Sequence, residues 1–235
     1  MYMYGNNIYN QSYLLLIPAI LLTLYAQARV KGAYAKYAQI GNTRRITGAQ
    51  AADIIIRRNG LGIGIQEVAG TLTDNYNPQT RILSLSQGVY SSYSVAAIAI
   101  AAHECGHACQ HAQGYALLRL RNNLVPVLNI TSSLSWPVMI LGLLMGSGGN
   151  LIFNIGLAMF MLVVIFHLIT LPVELDASRR ALDMLQEYGI VNGQTEEIAG
   201  AREVLSAAAL TYLAALAMAV GNLLRILAMR GSNRR

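Results

Sequence analysis

Charge is what this sequence has least of: Asp, Glu, Lys and Arg make up 12% of its 235 residues, against 54% hydrophobic ones. A soluble domain carries about 25% charged residues, so an ordinary water-soluble fold is excluded. The deficit is also concentrated. Charged residues are missing altogether from Met1 to Ala28 and from Asn122 to Val173, and no soluble core requires such stretches. Cysteine is nearly absent too, with only Cys105 and Cys109, four residues apart. That rules out a disulfide framework, and the pair reads as small packing residues suited to a reducing compartment. The formal charge of +6 comes from basic residues scattered through connecting segments, without interleaved aromatics. It fits membrane-flanking charge and gives no nucleic-acid partner.

What remains is an integral membrane protein. Four apolar runs, roughly Tyr9 to Ala28, Leu124 to Met145, Leu151 to Leu171 and Val204 to Leu224, each approach the ~20 residues that cross a hydrocarbon core. The division that follows is an N-terminal anchor (1–28), a polar module (29–121), a helical hairpin (122–173), a short segment (174–203) and a C-terminal hydrophobic helix with a basic tail (204–235). The first run has no side-chain positive charge before it and Arg29 and Lys31 just after it, the reverse of a cleaved signal, so it reads as a retained anchor with its N-terminus outside. Gly146 to Asn150 turns the hairpin back, so Glu174 should emerge on the face from which the chain left. Ten Lys and Arg lie between Arg29 and Arg121 and none in the hairpin link, which puts the polar module in the cytoplasm. Arg225, Arg230, Arg234 and Arg235 run against that rule unless the last helix stops short of a full span.

Histidine is scarce, yet two of the four stand in His103-Glu104-Cys105-Gly106-His107, an H-E-x-x-H pattern. On a helix, residues four apart lie on nearly one face and about 6 Å apart along the axis, so two imidazoles can converge on one ion. Glu104 then stands beside any water the ion holds, as a general base must. Zinc, one ion per chain, suits two neutral nitrogens, a third protein donor and an open position. The alternative is a buried polar turn whose histidines only hydrogen-bond.

The surrounding signals give a helix from Ser94, an N-cap, to Gly114, with Val95 to Ala102 apolar all round and therefore buried. Thr47 to Gln50 has capping-box spacing, and residues 48–59 should form a second helix. Ile63 to Val68 and Arg81 to Ser86 are short extended candidates, with turn chemistry at Asp74 to Pro78 between them. A strand beside the motif helix could hold a substrate peptide by backbone pairing, or could be a structural ribbon only. The fold class is mainly α, a polytopic helical membrane protein with a zincin-like H-E-x-x-H helix and a small β element.

His111 continues the four-residue series but lies about 12 Å along the axis from His103, too far to share a tetrahedral ion. The third donor must come from elsewhere. Glu174 follows Pro172, which favours a fresh helical start, and a carboxylate there can reach the motif helix; a charge that merely stabilises a helix N-terminus is the alternative. His167, seven residues earlier, is an ionisable group at membrane depth that could face the metal site or substrate, or bond a neighbouring helix.

His103 to His107 together with Glu174-Leu-Asp-Ala-Ser178 resembles the YugP-type neutral zinc metallopeptidases of bacterial membranes and, more distantly, the HtpX and CAAX-prenyl-protease group. The nearer resemblance takes in the anchor, the Asp74 to Ser86 segment, the motif helix and the hydrophobic stretch from Val204. It implies that His103, His107 and Glu174 bind zinc and that Glu104 is the general base. The distant group has an aspartate four residues after its ligand glutamate. Here that position is Ser178, a hydroxyl that can still hydrogen-bond a ligand histidine but carries no charge. The expected activity is zinc-dependent endopeptidase hydrolysis, at a site embedded in or beside the bilayer, of membrane or membrane-associated polypeptides. The competing function is a non-catalytic metal-binding membrane protein, a sensor or scaffold.

Overall fold

The computed structural model describes residues 12–191 and 196–232. The expected outward N-terminus, the first residues of the Tyr9 to Ala28 run, and Arg234 and Arg235 lie outside the described residues. In chain order the elements are α1 (Ile17–Tyr37), α2 (Gly48–Arg58), β1 (Gly64–Val68), β2 (Asn75–Asn77), β3 (Ile82–Ser86), α3 (Gln87–Tyr90), α4 (Val95–Ala112), α5 (Ala116–Leu144), a 3₁₀ turn (Gly146–Gly149), α6 (Asn150–Glu187) and α7 (Glu196–Ser232). The chain is a mainly α membrane protein with a small β element, as its composition requires. Two compact units divide it, one made of residues 1–25, 119–171 and 211–235, the other of residues 26–118 and 172–210.

The first unit holds the apolar lengths of α1, α5, α6 and α7. Four helices are long and apolar enough to cross a membrane: Ser12–Tyr37, Ala116–Leu144, Asn150–Glu187 and Glu196–Arg230. Leu21, Ile130, Leu144 and Leu151 are each at least 60% exposed, an arrangement that suits lipid and not water. Inside, Met139, Phe153, Phe160, Val164, Ala219 and Ile226 pack together. Association in lipid depends on close backbone approach, and Gly142 supplies it: a Cβ there would sit 2.4 Å from the Phe153 nitrogen. Arg225 lies over the rings of Tyr13 and Trp136 at 4.5 and 5.3 Å, and Arg230 over Phe153 at 5.2 Å. Both arginines are thus covered by aromatic faces.

The second unit is built round α4. Ser94 caps it, its hydroxyl accepting from the Ala97 N–H at 3.2 Å. The approach to that cap is fixed by the segment before α2: the Val95 N–H donates to the Ile40 carbonyl and the Asn42 amide donates to the Tyr93 carbonyl. Val95 to Ala99, Ala101 and Ala102 are buried, as an all-apolar half-helix must be. Against α4 packs α2, through Ala51, Ala52 and Ile55, with the expected capping box of Thr47 and Gln50. The α6 side contributes Ala177, Ala181 and Leu185, all fully buried.

The sheet runs β1-β3-β2, with β1 parallel and β2 antiparallel to β3. Central β3 buries Leu83, Ser84, Leu85 and Ser86, and each serine is satisfied: Gln66 donates to the Ser84 hydroxyl and Asp74 accepts from the Ser86 N–H and hydroxyl. The expected turn at Asp74 to Pro78 is corrected here. Asn75–Asn77 is a strand, because Asp74 ties the hairpin to Ser86, and the turn begins at Asn77, whose side-chain oxygen accepts from the N–H groups of Gln79 and Thr80. A second correction concerns Pro172. No new helix starts there; α6 runs through it without a break, since a proline within a long span forfeits one backbone bond that neighbouring groups can replace. Glu174 is therefore carried by a continuous helix and not by a fresh start after a loop.

At Gly106 the two helices that matter most touch backbone to backbone: a Cβ there would lie 2.6 Å from the carbonyl oxygen of Ala177. Replacing a helical glycine by alanine usually gains about 0.5–1 kcal/mol, but overpacking costs about 1–3 kcal/mol. Gly106→Ala is accordingly expected to lower the thermal midpoint of the detergent-solubilised protein, and an unchanged or raised midpoint would contradict this packing.

Candidate metal centre

The helical spacing of His103 and His107 places their rings edge to face, with centroids 4.8 Å apart at 82°. Glu174, 71 residues further along the chain from His103, brings one oxygen between them. Its Oε2 lies 3.2 Å from His103 Nε2 and 3.5 Å from His107 Nε2. Nitrogen and oxygen donors at about 2.0–2.1 Å from a tetrahedral zinc are separated from one another by about 3.3 Å. The two measured separations bracket that tetrahedral edge. Among the described residues these three side chains are the group that could hold a metal ion, all donor atoms lying within 4.8 Å of one another. Glu174 is 1% exposed, and a carboxylate so buried needs a positive partner close by.

Each imidazole is held from behind. His103 Nδ1 faces the Ser178 hydroxyl at 3.2 Å. His107 Nδ1 faces the side-chain oxygen of Gln110 at 3.0 Å. With the Nδ1 atoms engaged, it is the Nε2 atoms that point at Glu174. Gln110 in turn donates to the Val173 carbonyl and to Asp176, and Asp176 also accepts from Arg180, which reaches back to Gln113 at 2.6 Å. Burial works to lower the pKa of His107, but the hydrogen bond to Glu174 and the charges of Glu104 and Glu174 outweigh it, so the ring's affinity for a positive partner is raised. Glu104 is 9% exposed and forms no hydrogen bond with the described residues.

The remaining candidates are elsewhere. Cys105 faces the Ala52 carbonyl on α2, and burial first, then Cys109 and Glu104, push its thiol well above the ordinary value, so it stays a protonated packing residue. His111 pairs its Nδ1 with the Tyr76 hydroxyl on β2 at 2.8 Å, in keeping with its exclusion as a ligand. His167 lies in the other unit, its ring against Phe166, and is not a member of the three-residue group. Gln110, Asp176 and Gly106 escaped the sequence reading. Gln110 stands three residues after His107, hence on the same helix face, and that spacing was the available signal.

Residues 12–231 match the family described as "Putative neutral zinc metallopeptidase". The chain belongs to this neutral zinc metallopeptidase family. It is 42% identical over 212 residues to a protein of Bacillus subtilis (strain 168) named "Putative membrane protease YugP", a match covering 90% of this chain and 92% of that one. No solved structure matches it. Zinc is the cofactor this family implies, and the donor set fits it: two nitrogens and one carboxylate oxygen, the oxygen at a tetrahedral separation from each nitrogen, with no sulfur. The four apolar helices fit the membrane association in the relative's name.

Protons compete with zinc for an imidazole, and the raised His107 pKa means that competition begins above the usual value of about 6.5. Zinc affinity of the purified protein is expected to fall by about tenfold per pH unit on acidification, starting above that value. Affinity that stays flat down to pH of about 5 would contradict it.

Proposed function

We propose that the protein is a membrane-embedded zinc endopeptidase in which His103, His107 and Glu174 hold the ion and Glu104 is the general base. The observation that supports this best is the convergence of two Nε2 atoms on one remote carboxylate oxygen, at 3.2 and 3.5 Å, with a second carboxylate next in sequence to the first histidine. His103, His107 and Glu174 would hold zinc, which would supply Lewis acidity to a carbonyl and to a water at this site. Glu104 takes that water's proton and returns it to the leaving amine. Ser178 and Gln110 keep the imidazoles aimed.

The substrates fitting this reading are extended segments of membrane or membrane-associated polypeptides. β2 supports it as an edge strand tied to α4 through Tyr76 and His111, offering backbone groups beside the motif helix. The charge distribution favours a cytoplasmic site, with ten Lys and Arg between Arg29 and Arg121. α7 is long enough to span, and the arginines near its end rest on aromatic rings.

The test is zinc content and cleavage of casein and of a membrane-protein substrate by the wild type and three variants. His103→Ala and Glu174→Ala should lose stoichiometric zinc and all cleavage. Glu104→Gln should keep zinc and lose turnover by about 10²–10⁴-fold, the usual contribution of a general base. Zinc bound by the wild type without cleavage of any polypeptide would leave a metal-binding protein in place of a peptidase.

A further inference from the structure

The side chain of Gln110 is fully buried, and its hydrogen bonds leave its amide only one orientation. The nitrogen lies 2.8 Å from the Val173 carbonyl oxygen and 2.9 Å from an Asp176 carboxylate oxygen, and both of these can only accept. Both N–H groups are therefore committed to α6. The oxygen must then face His107 Nδ1, at 3.0 Å, and because an amide oxygen can only accept, that nitrogen carries the hydrogen. A neutral imidazole protonated at Nδ1 keeps its lone pair on Nε2, the atom that lies 3.5 Å from Glu174 Oε2. Turning the amide over would set its oxygen against two groups that can only accept, two unfavourable contacts at once, and leave at most one acceptor, His107 Nδ1, for its N–H groups.

The same side chain reaches the backbone of the turn that carries Glu174, since Val173 precedes that residue directly. Asp176, the acceptor that fixes the amide, is itself held by Arg179 and Arg180, and Arg180 also grips Gln113 at the end of α4. The route runs from α6 to α4 and back through hydrogen bonds. We propose that Gln110 is a positioning residue that sets the tautomer of His107 and the placing of Glu174 together, with Asp176 as the group that orients it. This rests on the zinc site proposed above and adds a determinant of metal affinity. A neutral amide at this place suits the burial: a carboxylate would lie against Asp176 and the Val173 carbonyl with no positive partner of its own.

The experiment measures zinc affinity of the full-length protein in detergent by competition with a chromophoric chelator, and the visible spectrum after cobalt substitution. Gln110→Met fills similar space without hydrogen bonds and should weaken zinc binding by about 10–100-fold and shift the cobalt bands. Gln110→Glu should do at least as much harm, and adding Asp176→Asn should restore affinity to within about tenfold of wild type, because an amide can donate to the new carboxylate. Circular dichroism of each metal-free variant establishes that it is folded. A folded Gln110→Met protein with wild-type affinity and spectrum would overturn the proposal, as would a double variant no better than Gln110→Glu alone. His103→Ala separates the two levels: if it loses zinc while Gln110→Met does not, only the positioning role fails, whereas zinc retained by His103→Ala overturns the site and this role with it.

Discussion

A single buried carboxylate facing two imidazoles is the interaction on which the rest of the structure depends. Taking a carboxylate out of water costs several kcal/mol unless positive charge meets it, and Glu174 has as neighbours His103 Nε2 and His107 Nε2. A cation at their centre resolves the problem for all three groups. The packing of the second unit follows from the need to bring residues 71 apart in sequence to that point. Gly106 lets the backbones of α4 and α6 meet, Gln110 crosses the same seam to Val173 and Asp176 and Ser178 crosses it to His103, and the alanine-rich first half of α4 allows close packing around it. Gln110 and Glu174 are buried at 0% and 1% exposure, which keeps the electrostatic value of their contacts high.

The proposed chemistry uses the same seam. Glu104 follows a histidine of the group and is left without a hydrogen bond to the described residues, whereas the neighbouring polar side chains are engaged. A group that must exchange protons is better unencumbered, and groups that must only hold position are better saturated. Arg180 is tied to Asp176 and Gln113 and so belongs to the hydrogen-bonded network behind the imidazoles.

Much of this was legible in the sequence, and the reason is periodicity. His103 and His107 at four-residue spacing, Ser94 and Thr47 as caps, and the uncharged stretches that became spans are all local patterns, and local patterns survive translation into structure. Glu174 was reachable through its place just after an uncharged stretch and through the family resemblance, and not through any local pattern with the histidines. What was hidden depends on side chains meeting across distance. Gln110 looks like any polar residue near a helix end until Val173 and Asp176 are beside it, and Gly106 looks like a helix weakness until the Ala177 carbonyl appears. The strand at Asn75–Asn77 was masked by turn-forming residues whose turn lies slightly later, and Pro172 misled because a long spanning helix tolerates what a short soluble one would not.

The most direct measurement of the central claim is X-ray absorption at the zinc edge of the purified, zinc-loaded protein. The account predicts nitrogen and oxygen scatterers alone, at about 2.0–2.2 Å, with the outer-shell pattern of two imidazoles. Sulfur scattering at about 2.3 Å, which would bring Cys105 or Cys109 into the site, or a signal with fewer than two imidazoles, would contradict it.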